Sequence, residues 1–314
     1  MIIAVTGGTG FIGRHLIARH LARGDEVRYL TRGNPLPALA GAIACKGNLN
    51  SPSPHLRKFL EGTDVLYHCA AELRDEALMQ ATNAQGTANL LAAARGEITR
   101  WVQLSSTGVY GNPRHQIVSE NSAIAPVNAY ERSKTEADAL LTRAAAEQQM
   151  ECVLLRPSNV YGIDMPNQSL FQMVGMIDKG LFFFIGKPGA VANYIHVENV
   201  VDALMLCGKA DLPANGQAYI VSDHCPLEEF VDIVAVALHK KPGALRLPES
   251  WARGIAGLGA KLAKFPLTAS RIDAMTNTTI YQSDKIASEL GFRQTISIRE
   301  GIAELTRHWQ THRQ

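Results

Sequence analysis

The chain has 314 residues, 46% hydrophobic and 19% charged, enough to bury a sizeable core as one large domain or two unequal ones. Its net charge is only +2, with no basic run, arginine-rich tail or interleaving of aromatic and basic residues, so nucleic acid is not an expected partner. Cys45, Cys69, Cys152, Cys207 and Cys225 are scattered with no C-x-x-C pair and read as buried small hydrophobes in a reducing compartment.

An apolar run, Ile2–Thr6, leads into Thr6-Gly7-Gly8-Thr9-Gly10, after which Phe11, Ile12, Leu16, Ile17 and Leu21 recur at helical spacing. The pattern predicts a strand, a tight turn and a helix. Glycines at 7, 10 and 13 let the backbone turn sharply, approach a pyrophosphate without a Cβ in the way and pack helix against strand. The helix N-terminus then offers free N–H groups and a positive dipole end to phosphates. Taken alone, three glycines also fit an ordinary βα turn. With the first strand beginning at residue 2, no secretory leader is expected, and the location read from this is cytoplasmic.

The second strand is predicted at 26–30, where a dinucleotide fold that selects NAD carries Asp or Glu for the ribose 2′-hydroxyl. Here the residues are Thr31-Arg32-Gly33. A guanidinium suits a 2′-phosphate, so NADP(H) is the expected cofactor, with NAD possible. The alternative is that Arg32 stacks on the adenine or points to solvent. Further strands are predicted at 43–46, 65–69, 101–105 and 152–156, alternating with helical stretches. Such alternation builds an α/β, doubly wound parallel sheet with ligands at the strands' carboxyl ends. Runs at 193–197 and 217–221 read as strands returning to that sheet. The expected organisation is a Rossmann-type domain over 1–162, rejoined by about 193–222, and a smaller substrate lobe from 163–192 and 223–314.

The stretch 251–269 is rich in Gly, Ala and Leu but is broken by Arg253, Lys261 and Lys264, so it is not expected to span a bilayer. It reads as a helix of the substrate lobe. A second reading lays it on a membrane surface, with Trp251, Ile255, Leu258, Leu262 and Phe265 as its apolar side.

Tyr130 and Lys134, four apart in a segment rich in Ala, Glu and Leu, share one face of a helix. An unperturbed tyrosine, with a pKa of about 10, is a poor base at neutral pH. The Lys134 ammonium and the positive nicotinamide of an oxidised cofactor are both expected to lower that value. A surface Tyr/Lys pair is the bland alternative. Ser106, just past the apolar run 101–104, stands where a doubly wound sheet presents its chemistry. Its hydroxyl suits holding a reacting oxygen while Tyr130 gives or takes the proton, with hydride moving to or from the same carbon.

With these residues in place the chain resembles the extended short-chain dehydrogenase/reductase family, the branch of nucleotide-sugar epimerases and 3β-hydroxysteroid-type dehydrogenases. The likeness runs through T-G-G-T-G-F-I-G (6–13), G-N-L (47–49), H-C-A-A (68–71), N-A-Q-G-T (83–87), L-S-S-T-G-V-Y-G (104–111), Y-E-R-S-K (130–134), L-R-P-S-N-V-Y-G (155–162), Y-I-H-V-E-N-V-V (194–201) and E-L-G-F (289–292). It implies Ser106, Tyr130 and Lys134 as catalytic residues. Around the cofactor it implies Gly7, Gly10, Phe11, Ile12, Gly13, Asn48, Leu49, Ala70, Ala71, Asn83 and Pro157, beside Arg32, Tyr130 and Lys134. Thr107, Asn159 and Arg271 are implied on the substrate side.

Departures narrow the chemistry. The family's sugar 4,6-dehydratases carry an Asp-Glu pair where this chain has Thr107 and Gly108, and its 3- or 5-epimerases carry a cysteine where Gly108 stands. The reaction is therefore expected at a single alcohol/ketone carbon. The expected class is a nucleoside-diphosphate-sugar 4-epimerase or 4-ketoreductase. The alternative is a 3β-hydroxysteroid dehydrogenase or dihydroflavonol-reductase-like enzyme with an apolar substrate, favoured by Ala192, which stands where the sugar enzymes carry a diphosphate-gripping arginine. Arg271 falls near a second arginine of those enzymes. A non-catalytic dinucleotide-binding protein is a third reading, opposed by the presence of Ser106, Tyr130 and Lys134 together. His68 and His196 lack partners at ligand spacing, so no metal is expected. The resemblance also implies a homodimer on helices near 75–95 and 129–149, supported in the sequence only by Leu78, Leu90, Leu91, Leu140 and Leu141.

Overall fold

The computed structural model describes residues 1–148, 150–209, 215–241, 243, 245–259 and 267–312. Lys261, Leu262, Lys264 and Phe265 lie outside the described residues.

The first half alternates β1 (Ile2–Thr6), α1 (Phe11–Ala22), β2 (Glu26–Thr31), β3 (Ile43–Lys46), α2 (Pro54–Leu60), β4 (Thr63–His68), α3 (Glu76–Met79), α4 (Gly86–Ala94), β5 (Ile98–Leu104), the short β6 (Ile117–Val118), α5 (Ala129–Gln148) and β7 (Glu151–Pro157). After β8 (Asn159–Tyr161) come α6 (Ser169–Asp178), β9 (Phe184–Ile185), β10 (Val191–His196), α7 (Val197–Cys207), β11 (Gln217–Val221), β12 (Asp223–Pro226) and α8 (Leu227–Ala237). The chain closes with β13 (Arg246–Leu247), α9 (Glu249–Gly259), α10 (Ala269–Thr276), β14 (Ile280–Tyr281), α11 (Asp284–Leu290) and α12 (Ile298–His312).

Seven parallel strands form the main sheet in the order β3-β2-β1-β4-β5-β7-β11. Ile3, Ala4 and Val5 are all 0% exposed, because helices cover both faces. On one side Ile3 and Val5 join Leu16 and Ile17 of α1, Val200 and Leu204 of α7, and Ile286 of α11. On the other, Ala4, Leu66 and Trp101 meet Leu56 of α2, Leu90 of α4 and Leu141 of α5. The strand order reverses between β1 and β4, so the crevice for a ligand opens at the carboxyl ends of those two strands.

The strand predicted at 193–197 does not return to this sheet. As β10 it pairs in parallel with β8 and antiparallel with β12. The outer edge of β7 is already taken by β11, and the chain turns out of the sheet at Ser158, whose N–H donates to Val221 O at 3.0 Å. β11 does rejoin the main sheet, as expected. Around the small β8-β10-β12 sheet a second apolar core is built from α6, α8 and α12, with Phe11 of α1 packed against its edge.

Of the five leucines named for a dimer face, Leu90, Leu91 and Leu141 are 0%, 5% and 0% exposed in the core of their own sheet, Leu140 is partly buried against it, and Leu78 is 45% exposed. All five cysteines are unpaired. Among the described residues no helix is long and apolar enough to cross a membrane.

Candidate active site

The residues singled out in the first half of the sequence gather at the carboxyl edge of the main sheet. Gly7 follows β1, Arg32 follows β2, Asn48 and Leu49 follow β3, Ala70 and Ala71 follow β4, Ser106 follows β5 and Pro157 ends β7. Gly7 takes φ +67°, and a Cβ there would stand 2.6 Å from the Ala70 backbone nitrogen, so the ends of β1 and β4 touch only because the residue is glycine. At Gly13 a Cβ would lie 2.2 Å from Gly7 O. The turn is therefore closed against α1, whose first residues follow Gly10 without any side-chain cap. The uncapped N–H groups of Phe11, Ile12 and Gly13 suit a pyrophosphate, so the turn fits a dinucleotide. Arg32 is exposed, within electrostatic reach of Glu72. Asn48 Oδ1 accepts from Asn50 N at 3.0 Å, and Leu49 is buried beneath α4 with its carbonyl held by Asn89.

A directional hydrogen-bond chain lies beneath the turn. His68 is 1% exposed, and burial together with the nearby Lys134 ammonium pulls its pKa down to about 3, so it is neutral. The Thr87 hydroxyl donates to Asn83 O at 2.6 Å, which leaves it to accept from His68 Nε2–H at 3.0 Å. Nδ1 must then accept from the Thr6 hydroxyl at 2.5 Å, while Thr6 Oγ1 itself accepts from Ala70 N at 3.3 Å. The chain thus locks the ends of β1 and β4 to the π-helical turn at 80–85 between α3 and α4 that carries Asn83. Both Asn83 Nδ2 hydrogens are used within the protein, one on Glu72 O at 3.1 Å and one on Ser133 Oγ at 2.9 Å, and Oδ1 accepts from Glu72 N at 2.7 Å. Ser133 in turn donates to Tyr130 O at 2.8 Å. Asn83 clips the loop after β4 to the start of α5, with no N–H left over for a ligand.

The Ser106 side chain lies near enough to the Tyr130 phenol to exert a downward pull on its pKa. Ser106 Oγ accepts from Gly108 N at 3.0 Å. Burial pushes the Tyr130 phenol up to about 12; Ser106 opposes this and the Asp138 and Glu131 carboxylates add to it. The expectation that Lys134 lowers this value is not met by the polypeptide alone. The ammonium of Lys134, 2% exposed, donates instead to Leu104 O at 2.7 Å, bracing the end of β5. Burial pulls the pKa of Lys134 below the ordinary lysine range, against the pull of Asp138 and Cys69.

Asp138 is a residue that the sequence reading passed over, although it falls one further helical turn along the face of Tyr130 and Lys134. At 5% exposure its Oδ2 accepts from Ser105 Oγ at 2.7 Å and from Arg156 at 3.3 Å. Arg156 also donates to the Tyr110 hydroxyl at 2.9 Å. Burial holds the Asp138 carboxyl above the ordinary carboxylate range, against the opposing pull of the Arg156 and Lys134 cations. Two buried cations therefore share one buried carboxylate directly below the serine and tyrosine.

The substrate-side residues are less concentrated. Thr107 is 7% exposed and lies near enough to the Tyr281 phenol to oppose the upward push of burial on it, and a Cβ on Gly108 would press on Glu131 at 3.1 Å. Asn159 is exposed and donates to Asn193 O at 3.0 Å. Arg271, on α10, donates to Gln172 of α6 at 3.0 Å. Ala192 is 6% exposed, pairs with Cys225 across β10 and β12, and sits in the second apolar core.

A model of the NAD-dependent epimerase/dehydratase family matches residues 3–221. Among curated proteins, a 4-hydroxy-2-methyl-3-oxo-4-farnesyl-3,4-dihydroquinoline-1-oxide ketoreductase from Stigmatella aurantiaca is 27% identical, the match covering 96% of this chain and 94% of that protein. A UDP-glucose 4-epimerase from Vibrio cholerae is 26% identical, with 96% and 93% covered. Among solved structures, the UDP-glucose 4-epimerase of Thermotoga maritima with UDP-glucose superposes with a TM-score of 0.77 at 19% identity, covering 99% of each chain.

Proposed function

We propose that this chain, which belongs to the NAD-dependent epimerase/dehydratase family, is an NADP(H)-linked reductase of one ketone carbon on a largely apolar substrate. The observation that carries this reading is Ala192. It is closed into an apolar core at 6% exposure, beside Cys225 and the Tyr194–Phe230 ring stack at 5.2 Å, so the position where the family's sugar enzymes place a diphosphate-gripping arginine has neither charge nor access to solvent. The Stigmatella ketoreductase, whose name gives its substrate a farnesyl chain, supports the same reading.

The Ser106–Tyr130–Lys134 group supplies the proton chemistry. A nicotinamide dinucleotide held at the glycine turn would supply the hydride. Ser106 holds the carbonyl oxygen, and Tyr130 releases its proton to that oxygen as charge develops there. A phenol pushed up to about 12 in the polypeptide alone is fully protonated at neutral pH, which suits a proton donor in reduction. Lys134 braces the strand end under both hydroxyls. Arg32, exposed just past β2, would pair with the 2′-phosphate of NADP(H).

A second reading, a nucleoside-diphosphate-sugar 4-epimerase or 4-ketoreductase, draws on the Vibrio relative and on Arg271. Isothermal titration of the protein saturated with NADPH separates the two. UDP, dTDP and GDP are run beside a steroid ketone and a flavanone. Response to an apolar ketone without nucleotide binding is expected; micromolar binding of one nucleoside diphosphate would transfer the assignment to the sugar class. Tyr130→Phe is expected to keep NADPH affinity while cutting turnover by about 10²-fold or more.

A further inference from the structure

The α9 helix turns the expected side chains the wrong way for a helix packed on its apolar stripe. Its packed face is made of small residues: Ala252, 0% exposed, and Ala256 lie against Ile185, Leu247, Ile272 and Met275. The large apolar side chains stand outside, with Trp251 68%, Ile255 41% and Leu258 83% exposed. Spaced at i, i+4 and i+7, these three form one stripe. The same sub-structure exposes two more leucines. β9 and β13 pair side by side, Phe184 N donating to Leu245 O at 2.9 Å, and Leu245 and Leu181 beside them are 70% and 63% exposed. Isolated exposed leucines are ordinary, but a stripe containing a tryptophan together with neighbouring leucines marks an interaction surface.

The charges around this surface indicate what covers it. The segments that carry these side chains hold Lys179, Lys187, Lys240, Lys241, Arg246 and Arg253, with Glu249 among them and Asp178, Glu228 and Asp273 packed against them, so cations outnumber acids by six to four. Arg246 is paired with Glu228 at 2.7 Å, and Arg253 with Glu249 and Asp273 at 2.7 and 2.8 Å. All four lysines remain exposed, Lys240 with only a 3.8 Å contact to Asp178. A second copy of the chain meeting this face across a two-fold axis would bring like-charged lysines together. An anionic headgroup layer accepts the lysines, while the tryptophan and leucines enter the acyl boundary.

We propose that the outer face of α9, with Leu181, Leu245 and the exposed lysines of the neighbouring segments, docks the protein on an anionic lipid surface. The inference stands apart from the identity of the substrate, since it concerns a surface and not the Ser106–Tyr130 site. It would place the substrate lobe where apolar ketones partition.

The test uses the full chain and vesicles of phosphatidylcholine alone or mixed with phosphatidylglycerol, with no substrate present. Co-sedimentation with the mixed vesicles, weakened by added salt, is expected. Quenching of tryptophan emission by brominated acyl chains should accompany it and be lost in Trp251→Phe, because Trp251 is 68% exposed whereas Trp101 is 0% exposed and Trp309 is partly buried against the second core. Leu258→Glu, at a position too exposed to disturb the core, should weaken partitioning by roughly tenfold or more. Lys240→Glu and Lys241→Glu should each weaken binding to the anionic vesicles by about fivefold. Absence of wild-type binding to the mixed vesicles overturns the proposal, as does equal binding by Leu258→Glu with its circular dichroism unchanged. A drop in mass by light scattering on Leu258→Glu also overturns it, since a second copy would then be the occupant.

Discussion

His68 allows a sharp test, because its protonation state and its stabilising role are set by the same burial. Its folded pKa is lowered to about 3 from an ordinary 6.5. A histidine with a lowered folded pKa contributes stability that is fully present above 6.5 and is lost as pH falls from 6.5 towards 3, because only the unfolded chain takes up the proton. The loss amounts to roughly 1.4 kcal/mol for each pH unit in that window, or about 3 kcal/mol by pH 4.5. Other groups act in the same direction: His20 and His196 are also lowered by burial, and Asp25 is held low by His20 and the N-terminus despite its burial. The comparison with His68→Gln isolates the one residue. The amide keeps a donor for Thr87 and an acceptor for Thr6 but has no proton to gain. At pH 7.5 the variant should be less stable by about 1–3 kcal/mol, the cost of imperfect buried hydrogen bonds. By pH 4.5 the two proteins should have equal stability, or the variant should lead. Urea unfolding followed by circular dichroism at both pH values measures the gap. A gap unchanged with pH would mean that His68 is not held neutral and that the Nε2–H tautomer assigned to it is wrong.

Asp138→Asn should destabilise the fold by about 3 kcal/mol, since Lys134 and Arg156 would be left as buried cations without their carboxylate. Thermal unfolding should fall by roughly 5–10 °C; a loss under about 1 kcal/mol would show that water already solvates the cluster. Gly13→Ala places a Cβ 2.2 Å from Gly7 O, so NADPH affinity by titration should drop by about tenfold or more while far-ultraviolet circular dichroism stays unchanged. Unaltered affinity would dismiss the glycine turn as the pyrophosphate site. Arg32→Asp should reverse the preference between NADP(H) and NAD(H), and an unchanged ratio of dissociation constants would remove Arg32 from 2′-phosphate recognition.

The sheet was legible because its strands announce themselves locally: Ile2–Thr6 and the glycine turn occupy consecutive residues, and buried parallel strands read as continuous apolar runs. Tyr130 and Lys134 were legible for the same reason, four apart on one helix. What the sequence did not place depended on which edge was free. The residues of β10 have strand character but not a partner, and only the pairing of β11 with β7 sends them to β8 and β12. The π-helical turn at Asn83 was hidden because its side chain is spent on Glu72 and on Ser133, which lies 50 residues along.

The charge below the site was half-legible. Asp138 continues the Tyr130–Lys134 helical face, but its meaning comes from Arg156 on β7 and Ser105 just past the end of β5. That arrangement explains why the expected effect of Lys134 on the phenol fails in the polypeptide. A buried ammonium acts on whatever lies in its low-dielectric neighbourhood, and here Lys134 interacts with Asp138 and is hydrogen-bonded to Leu104 O, leaving the Tyr130 phenol governed by its own burial. The polypeptide alone thus leaves the Tyr130 phenol protonated beside Ser106, the state required of the proton donor proposed above.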